Sequence, residues 1–137
     1  MKKLLITLLA LPMLFVACDD SITMEEATDS IEENLRNEEN YNYQSSNYNK
    51  DELDNGNTDI DTDAFVSGKV YLMLPLDGNI DNLNSITILE LSDNKYTKKY
   101  EEFFEDEKGS EFICSTGNII VASYGDVANN IVENLCQ

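Results

Sequence analysis

Histidine is absent from this 137-residue chain. Cysteines and carboxylates are therefore its main candidates for catalysis or metal binding. Without imidazole the chain can form neither Ser-His-Asp nor Cys-His catalytic machinery. It also lacks a Gly-rich phosphate loop and a dinucleotide-binding fingerprint. Adjacent carboxylates such as Glu101 and Glu102 would point to opposite faces of a strand, whereas a glycosidase needs two carboxyls facing each other across a cleft. We therefore expect a protein that is not an enzyme and that uses no cofactor.

The densest group of carboxylates lies between Asp51 and Asp63. Oxygen-rich loops of this kind can bind calcium, and Asp59, Asp61 and Asp63 alternate as the first ligands of a calcium loop do. The EF-hand pattern fails, however, because placing Gly56 at its sixth position puts Leu53 at the third and Thr62 at the twelfth. The segment is interpreted as an acidic hinge, and calcium binding by the three alternating aspartates is the weaker alternative.

Cys114 and Cys136 are two of the three cysteines, and they lie in the part of the chain that has regular hydrophobic periodicity. These two residues are predicted to form a disulfide, as paired cysteines do in an oxidising compartment. Two free thiols in the core are the first alternative. A metal site is the second, although further soft ligands for zinc are lacking.

The first seventeen residues have the layout of an export signal. Lys2 and Lys3 form a short positive region, and an almost continuous apolar stretch follows from Leu4 to Ala17. This stretch is shorter than the roughly 20 residues that a membrane-spanning helix needs, and Pro12 disfavours a permanent helix within it. Residues 1–17 are therefore predicted to be a signal peptide.

The leader ends in Phe15-Val16-Ala17-Cys18, which resembles the lipobox of bacterial lipoproteins. The resemblance covers only the leader, and Phe15 stands where that family usually has Leu. It implies that Cys18 receives a diacylglycerol, with palmitate as an expected acyl group, and that cleavage leaves Cys18 as the first mature residue. The expected location is the cell envelope, at the outer membrane, with the choice between a periplasmic and a surface-exposed face left open.

The charge of the chain limits its partners. Twenty-seven acidic and nine basic residues give a net charge of −18. Such a charge opposes binding to nucleic acid, whose phosphates need Lys and Arg. The expected partners are the lipid bilayer, through acylated Cys18, and a protein or surface ligand that the sequence does not identify.

Residues 18–63 combine fifteen acidic residues with eight asparagines and few aliphatic side chains. A segment of this composition buries too little apolar area to offset its ordering entropy, so it is predicted to be a disordered acidic tether. One helix over about 24–37 is compatible with the sequence, because Thr23 and Glu26 match a capping box. The polar-aromatic run from Tyr41 to Asn49 is interpreted as a linker, with an adhesive patch as the alternative.

Residues 64–137 have the periodicity of a small α+β domain. Strands are predicted over 66–74, 85–91, 96–104, 111–114 and 118–124, with a helix as the alternative for 96–104. Asp126 is predicted to cap a C-terminal helix over Val127 to Leu135. The predicted fold is an antiparallel β-meander of about five strands that is covered by this helix and preceded by the acidic tether.

Three functions are compatible with these features. The leading one is a membrane-anchored envelope lipoprotein that acts as a non-enzymatic binding or structural module. The alternatives are an inhibitor or immunity lipoprotein that blocks a cationic hydrolase, and a calcium-dependent adhesion module.

Overall fold

The fold is taken from a computed structural model that describes residues 21–53, 60–106 and 108–137. The helices and strands, in chain order, are α1 (Met24–Arg36), β1 (Tyr41–Asn47), β2 (Phe65–Pro75), β3 (Asn84–Leu91), α2 (Thr97–Asp106), β4 (Phe112–Thr116), β5 (Ile119–Tyr124) and α3 (Asp126–Cys136). Short 3₁₀ turns cover Lys50–Glu52, Thr62–Ala64, Ile80–Asn82 and Asn94–Tyr96.

The strands form one antiparallel sheet in the order β1-β2-β3-β5-β4. This confirms the α+β class, the count of five strands and the C-terminal helix. Strands β1 to β3 follow one another as a meander, whereas β5 lies beside β3 and leaves β4 at the edge. The chain therefore crosses from β3 to the far edge through α2 before the last hairpin closes the sheet.

Apolar side chains fill both faces of this sheet, because neighbouring residues of a strand point to opposite sides. Helices α1 and α3 cover one face, which we call the two-helix face; its core includes Ile31, Tyr71, Met73, Ile86 and Val132. Helix α2 covers part of the other face, which we call the α2 face; its core includes Leu89, Leu91, Tyr100, Phe104 and Ile120. The sheet thus separates two hydrophobic clusters.

Between residues 18 and 63 the helix compatible with the capping box is present, whereas the interpretation of the run from Tyr41 to Asn49 as a linker is wrong for Tyr41–Asn47, which form β1. Helix α1 has the expected capping box, and Ala27, Ile31 and Leu35 are buried in the core of the two-helix face. Strand β1 pairs with β2 along its whole length. The polar composition of the segment did not indicate that it packs on the domain, because three buried residues at helical spacing are enough to dock a helix on a sheet. The domain therefore begins well before residue 64.

The segment 96–104, assigned first to a strand, forms helix α2. Tyr100, Phe103 and Phe104 are its buried residues, and their spacing places them on one side of a helix. The short run Tyr96 to Tyr100 also alternates like a strand, so the local pattern fitted both structures. The fifth strand comes instead from β1, in the segment interpreted as a linker.

The cap of α3 also differs from the prediction. The Oδ1 of Asn84, at the start of β3, accepts hydrogen bonds from Val127 N at 3.1 Å and Ala128 N at 3.0 Å. A side chain distant in sequence thus satisfies the helix N-terminus that Asp126 was expected to cap. Asn84 is itself buried, which fixes the start of α3 against the sheet.

The disulfide between Cys114 and Cys136 is present. It joins β4 to the last residue of α3, with a Cα–Cα distance of 6.3 Å. The bond closes a 22-residue separation and fixes the C-terminal helix to an edge strand of the sheet.

Candidate functional site

The α2 face of the sheet is only partly covered, and its uncovered half is the candidate functional site. Strand register places Gln44, Leu72, Ser85 and Tyr124 side by side across four strands. Leu72 is 37% exposed and Tyr124 is 51% exposed. We call this surface the open face; its members are Asn42, Gln44, Ser46, Leu72, Leu74, Ser85, Thr87 and Tyr124.

The open face carries no charged side chain, although the chain as a whole has a net charge of −18. Aliphatic and tyrosine side chains lie there among amides and hydroxyls. The cores of protein interfaces are depleted of charge and enriched in aromatic side chains in the same way. The composition of the open face is therefore that of a binding surface rather than that of a solvated acidic surface.

The loop between β2 and β3 adds two exposed apolar side chains at the same end of the sheet as Tyr124. Leu76 is 59% exposed and Ile80 is 76% exposed. Single exposed apolar residues are ordinary, but a group of them beside an uncharged face is characteristic of a contact surface.

Strand β1 leaves one side of the sheet unpaired within the described part of the chain. Asn40 O accepts a hydrogen bond from Leu76 N, and Tyr48 N donates one to Gly68 O. Backbone groups alternate in direction along an antiparallel strand, so the even-numbered residues of β1 bond to β2. The backbone groups of Tyr41, Tyr43, Ser45 and Asn47 consequently point away from the sheet. We call this row of N–H and C=O groups the outer edge.

The start of the described chain lies at the opposite end from the β2–β3 loop. Ser21 packs against the β4–β5 turn, 3.5 Å from the position that a Cβ on Gly117 would take. Ile22 packs on the core of the two-helix face. Three peptide links join Cys18 to Ser21 and can span at most about 11 Å. A lipid on Cys18 would therefore be held close to the β4–β5 end of the domain, which we call the anchor end.

A partly buried polar cluster joins α1 to β2. Glu32 Oε1 accepts bonds from Lys69 Nζ at 2.7 Å and from Tyr71 Oη at 2.8 Å. The bonds from Lys69 and then Tyr71 hold the pKa of the Glu32 carboxyl below its ordinary value. Burial, followed by the hydrogen bond to Glu32, raises the pKa of Tyr71. Because Lys69 and Tyr71 both bond to Glu32, the cluster positions α1 on the sheet.

Glu32→Gln tests this cluster through its pH dependence. The folded-state pKa lies below the ordinary value of 4.5, so the carboxylate stabilises the fold above that pH. This contribution is lost as pH falls through the folded-state pKa. We expect Glu32→Gln to lower the free energy of unfolding by about 1 kcal/mol at neutral pH, and the difference from wild type to shrink as the pH falls below 4.5.

Urea denaturation of both proteins at neutral and acid pH measures this effect. Glu33→Gln, an exposed neighbour on α1, is the matched control and should change stability by at most a few tenths of a kcal/mol. An equal loss from Glu32→Gln at both pH values would show that the charge of Glu32 is not what stabilises the cluster.

Two of the three predicted calcium ligands, Asp61 and Asp63, lie in the described part of the chain, where both make other contacts. Asp61 Oδ1 accepts a bond from Asp63 N, and Asp63 pairs with Lys50 at 2.7 Å. Asp59 lies outside the described residues. Over the ranges 21–53, 60–106 and 108–137, no cluster of three or more acidic or cysteine side chains is arranged to hold a metal ion. Asp61 and Asp63 instead order the turn that leads into β2.

Of the other predicted site residues, Cys114 and Cys136 are bonded to each other, whereas Cys18 lies outside the described residues. Sequence reasoning missed the open face and the outer edge, because strand order decides which side chains are left uncovered. The lack of charge from Tyr41 to Asn49, between Glu39 and Lys50, was the one available signal.

Among the residues that the structure describes, no helix is both long enough and apolar enough to span a bilayer. Comparison with known proteins finds no matching family model, no similar curated protein and no similar solved structure.

Proposed function

We propose that this chain is a bacterial envelope lipoprotein in which an acylated Cys18 holds a small, non-enzymatic binding domain close to the membrane. Residues 1–17 are the export signal, and the bilayer is the first partner. The open face is the surface that engages the second partner, a protein or surface ligand of the envelope. The expected location is the outer membrane.

The observation that carries the proposal is the position of the lipobox relative to the fold. The first described residue, Ser21, follows Cys18 after only Asp19 and Asp20. Cleavage before Cys18 would therefore remove none of the side chains that form the two described hydrophobic clusters. Two acyl chains give stable anchoring, whereas one chain binds a membrane only marginally.

This attachment differs from the long spacer expected from composition. With Ser21 already packed on the β4–β5 turn, the connection between the proposed lipid and the described fold is limited to residues 18–20. The anchor end then faces the membrane, and the β2–β3 loop with Leu76 and Ile80 lies at the opposite end of the sheet. In this orientation the membrane does not cover the open face, which stays accessible to a partner.

Metabolic labelling with an acyl precursor tests the anchor. Wild-type protein is expected to incorporate labelled palmitate and to begin at Cys18 by mass spectrometry. Cys18→Ser is expected to lose essentially all of the label and to retain its leader, because the acylated thiol is absent. The double variant Cys114→Ser/Cys136→Ser is the matched control and should keep the label.

The labelling result has a clear contrary outcome. Wild-type protein that carries no acyl group and begins elsewhere than at Cys18 would contradict the lipoprotein assignment. In that case the chain would be an ordinary secreted or uncleaved protein.

A further inference from the structure

We propose that the outer edge of β1 binds an extended, cationic peptide segment of a partner protein by adding it to the sheet as a sixth strand. The inference rests on the proposed binding function and names the partner chemistry. An unpaired strand edge is a template for another strand, since its backbone groups lack partners along one side.

Strand β1 itself lacks the features that usually protect an edge against such pairing. Natural proteins block edges with Pro, Lys, bulges or inward-pointing charges. Strand β1 contains no proline and no charged residue, and its register with β2 is continuous from Tyr41 to Asn47. Ser45, Ser46 and Asn47 are exposed, so the second half of the edge is accessible.

The surroundings of the outer edge determine the sign of the partner's charge. Glu38 and Glu39 precede β1, and Asp51 and Glu52 follow it after Lys50, whose charge is paired with Asp63. On α1, Asp29 lies near enough to Tyr71 to contribute to the raised pKa of that tyrosine, and Tyr71 is opposite Ser45 in the register. Carboxylates therefore lie beyond both ends of the uncharged strand β1 and on helix α1, which packs over it.

This charge arrangement favours a cationic strand over a second copy of the chain. Two copies paired edge to edge would bring the same bordering carboxylates together, and each copy already carries a net charge of −18. A segment that alternates Lys or Arg with apolar residues would satisfy the backbone groups and neutralise the border. The uncharged side chains of β1 impose no further charge requirement.

Ser45→Pro separates strand addition from general electrostatic attraction. The Ser45 N–H points away from β2, so proline there removes an outward donor and blocks the edge while the β1–β2 bonds remain. The residue is exposed on an edge strand, where proline is tolerated. Ser45→Ala keeps the N–H and is the matched control; the thermal unfolding midpoint confirms that each variant is folded.

The probe is a fluorescent peptide of about eight residues with alternating Val and Lys, long enough to cover β1. Its anisotropy is measured against the purified full chain in detergent. A second peptide of the same sequence carries N-methyl groups on the amides of one edge, which keeps its charge and removes its ability to pair.

We expect the plain peptide to bind wild type and Ser45→Ala with affinities within twofold, and Ser45→Pro to bind at least about tenfold more weakly. The N-methylated peptide should lose affinity for wild type to the same extent. Raising the salt from about 50 mM to about 300 mM should weaken binding several-fold. A peptide with Glu in place of Lys should not bind.

Three outcomes would each overturn the proposal. The plain peptide could bind wild type and Ser45→Pro equally, the N-methylated peptide could bind wild type as well as the plain peptide does, or the plain peptide could fail to bind. Sedimentation of wild type as a dimer that Ser45→Pro abolishes would also overturn it, because a second copy would then occupy the edge. Acyl labelling of Cys18 and ligand binding to the open face are measured separately, so failure of the edge would be distinguishable from failure of the proposed function.

Discussion

The double variant Cys114→Ser/Cys136→Ser is expected to unfold with a free energy about 3 kcal/mol lower than that of the oxidised protein. The disulfide closes a 22-residue separation, and its removal restores loop entropy to the unfolded chain. The bond also fixes the end of α3 to β4, so its loss should affect the part of the core that contains Val132. The corresponding fall in the thermal midpoint is roughly 10–15 °C.

Thermal unfolding with and without a reductant measures the effect of the disulfide. Reduced wild type should converge on the double variant, and the variant itself should be insensitive to the reductant. Ser115→Ala, an exposed neighbour of Cys114 in β4, is the control and should unfold like wild type. A reduced wild type as stable as the oxidised protein would show that the bond contributes little.

Ile31→Ala is the second substitution with a large expected effect. Ile31 is fully buried, and it packs on the sheet from the middle of α1. Removing a buried side chain of this size leaves a cavity, and we expect a loss of about 3 kcal/mol in the free energy of unfolding. If residues 18–63 were a tether outside the fold, the same substitution would change nothing.

Chemical denaturation of Ile31→Ala tests where the domain begins. Glu33→Ala lies two residues further along α1, is exposed, and should change the stability by at most about 0.5 kcal/mol. Similar stabilities for the two variants would mean that α1 does not belong to the cooperative unit.

The sequence was sufficient to predict the elements whose periodicity is long and regular. The β-branched run of β3 and the amphipathic pattern of α3 identified these two elements, and Thr23 with Glu26 identified the start of α1. The disulfide followed from the cysteine count and the predicted export signal. These features depend on local chemistry, which a sequence records directly.

Features that depend on tertiary contacts were not predictable. Strand β1 is polar and rich in tyrosine and asparagine, and it is a strand because β2 pairs with it along seven residues. Asn84 caps a helix more than forty residues away, which no local pattern encodes. The open face and the outer edge follow from the strand order, so the candidate site could only be found once the topology was known.

Site-specific photo-crosslinking in intact cells tests most directly the central claim that the open face is the binding surface of an anchored domain. A photoreactive residue is placed at Leu72 or Tyr124 on the open face, and at Glu33 or Asn130 on the exposed sides of α1 and α3. We expect light-dependent adducts of one defined mass from the first pair and none from the second. Adducts from all four positions alike, or from none of them, would contradict the account.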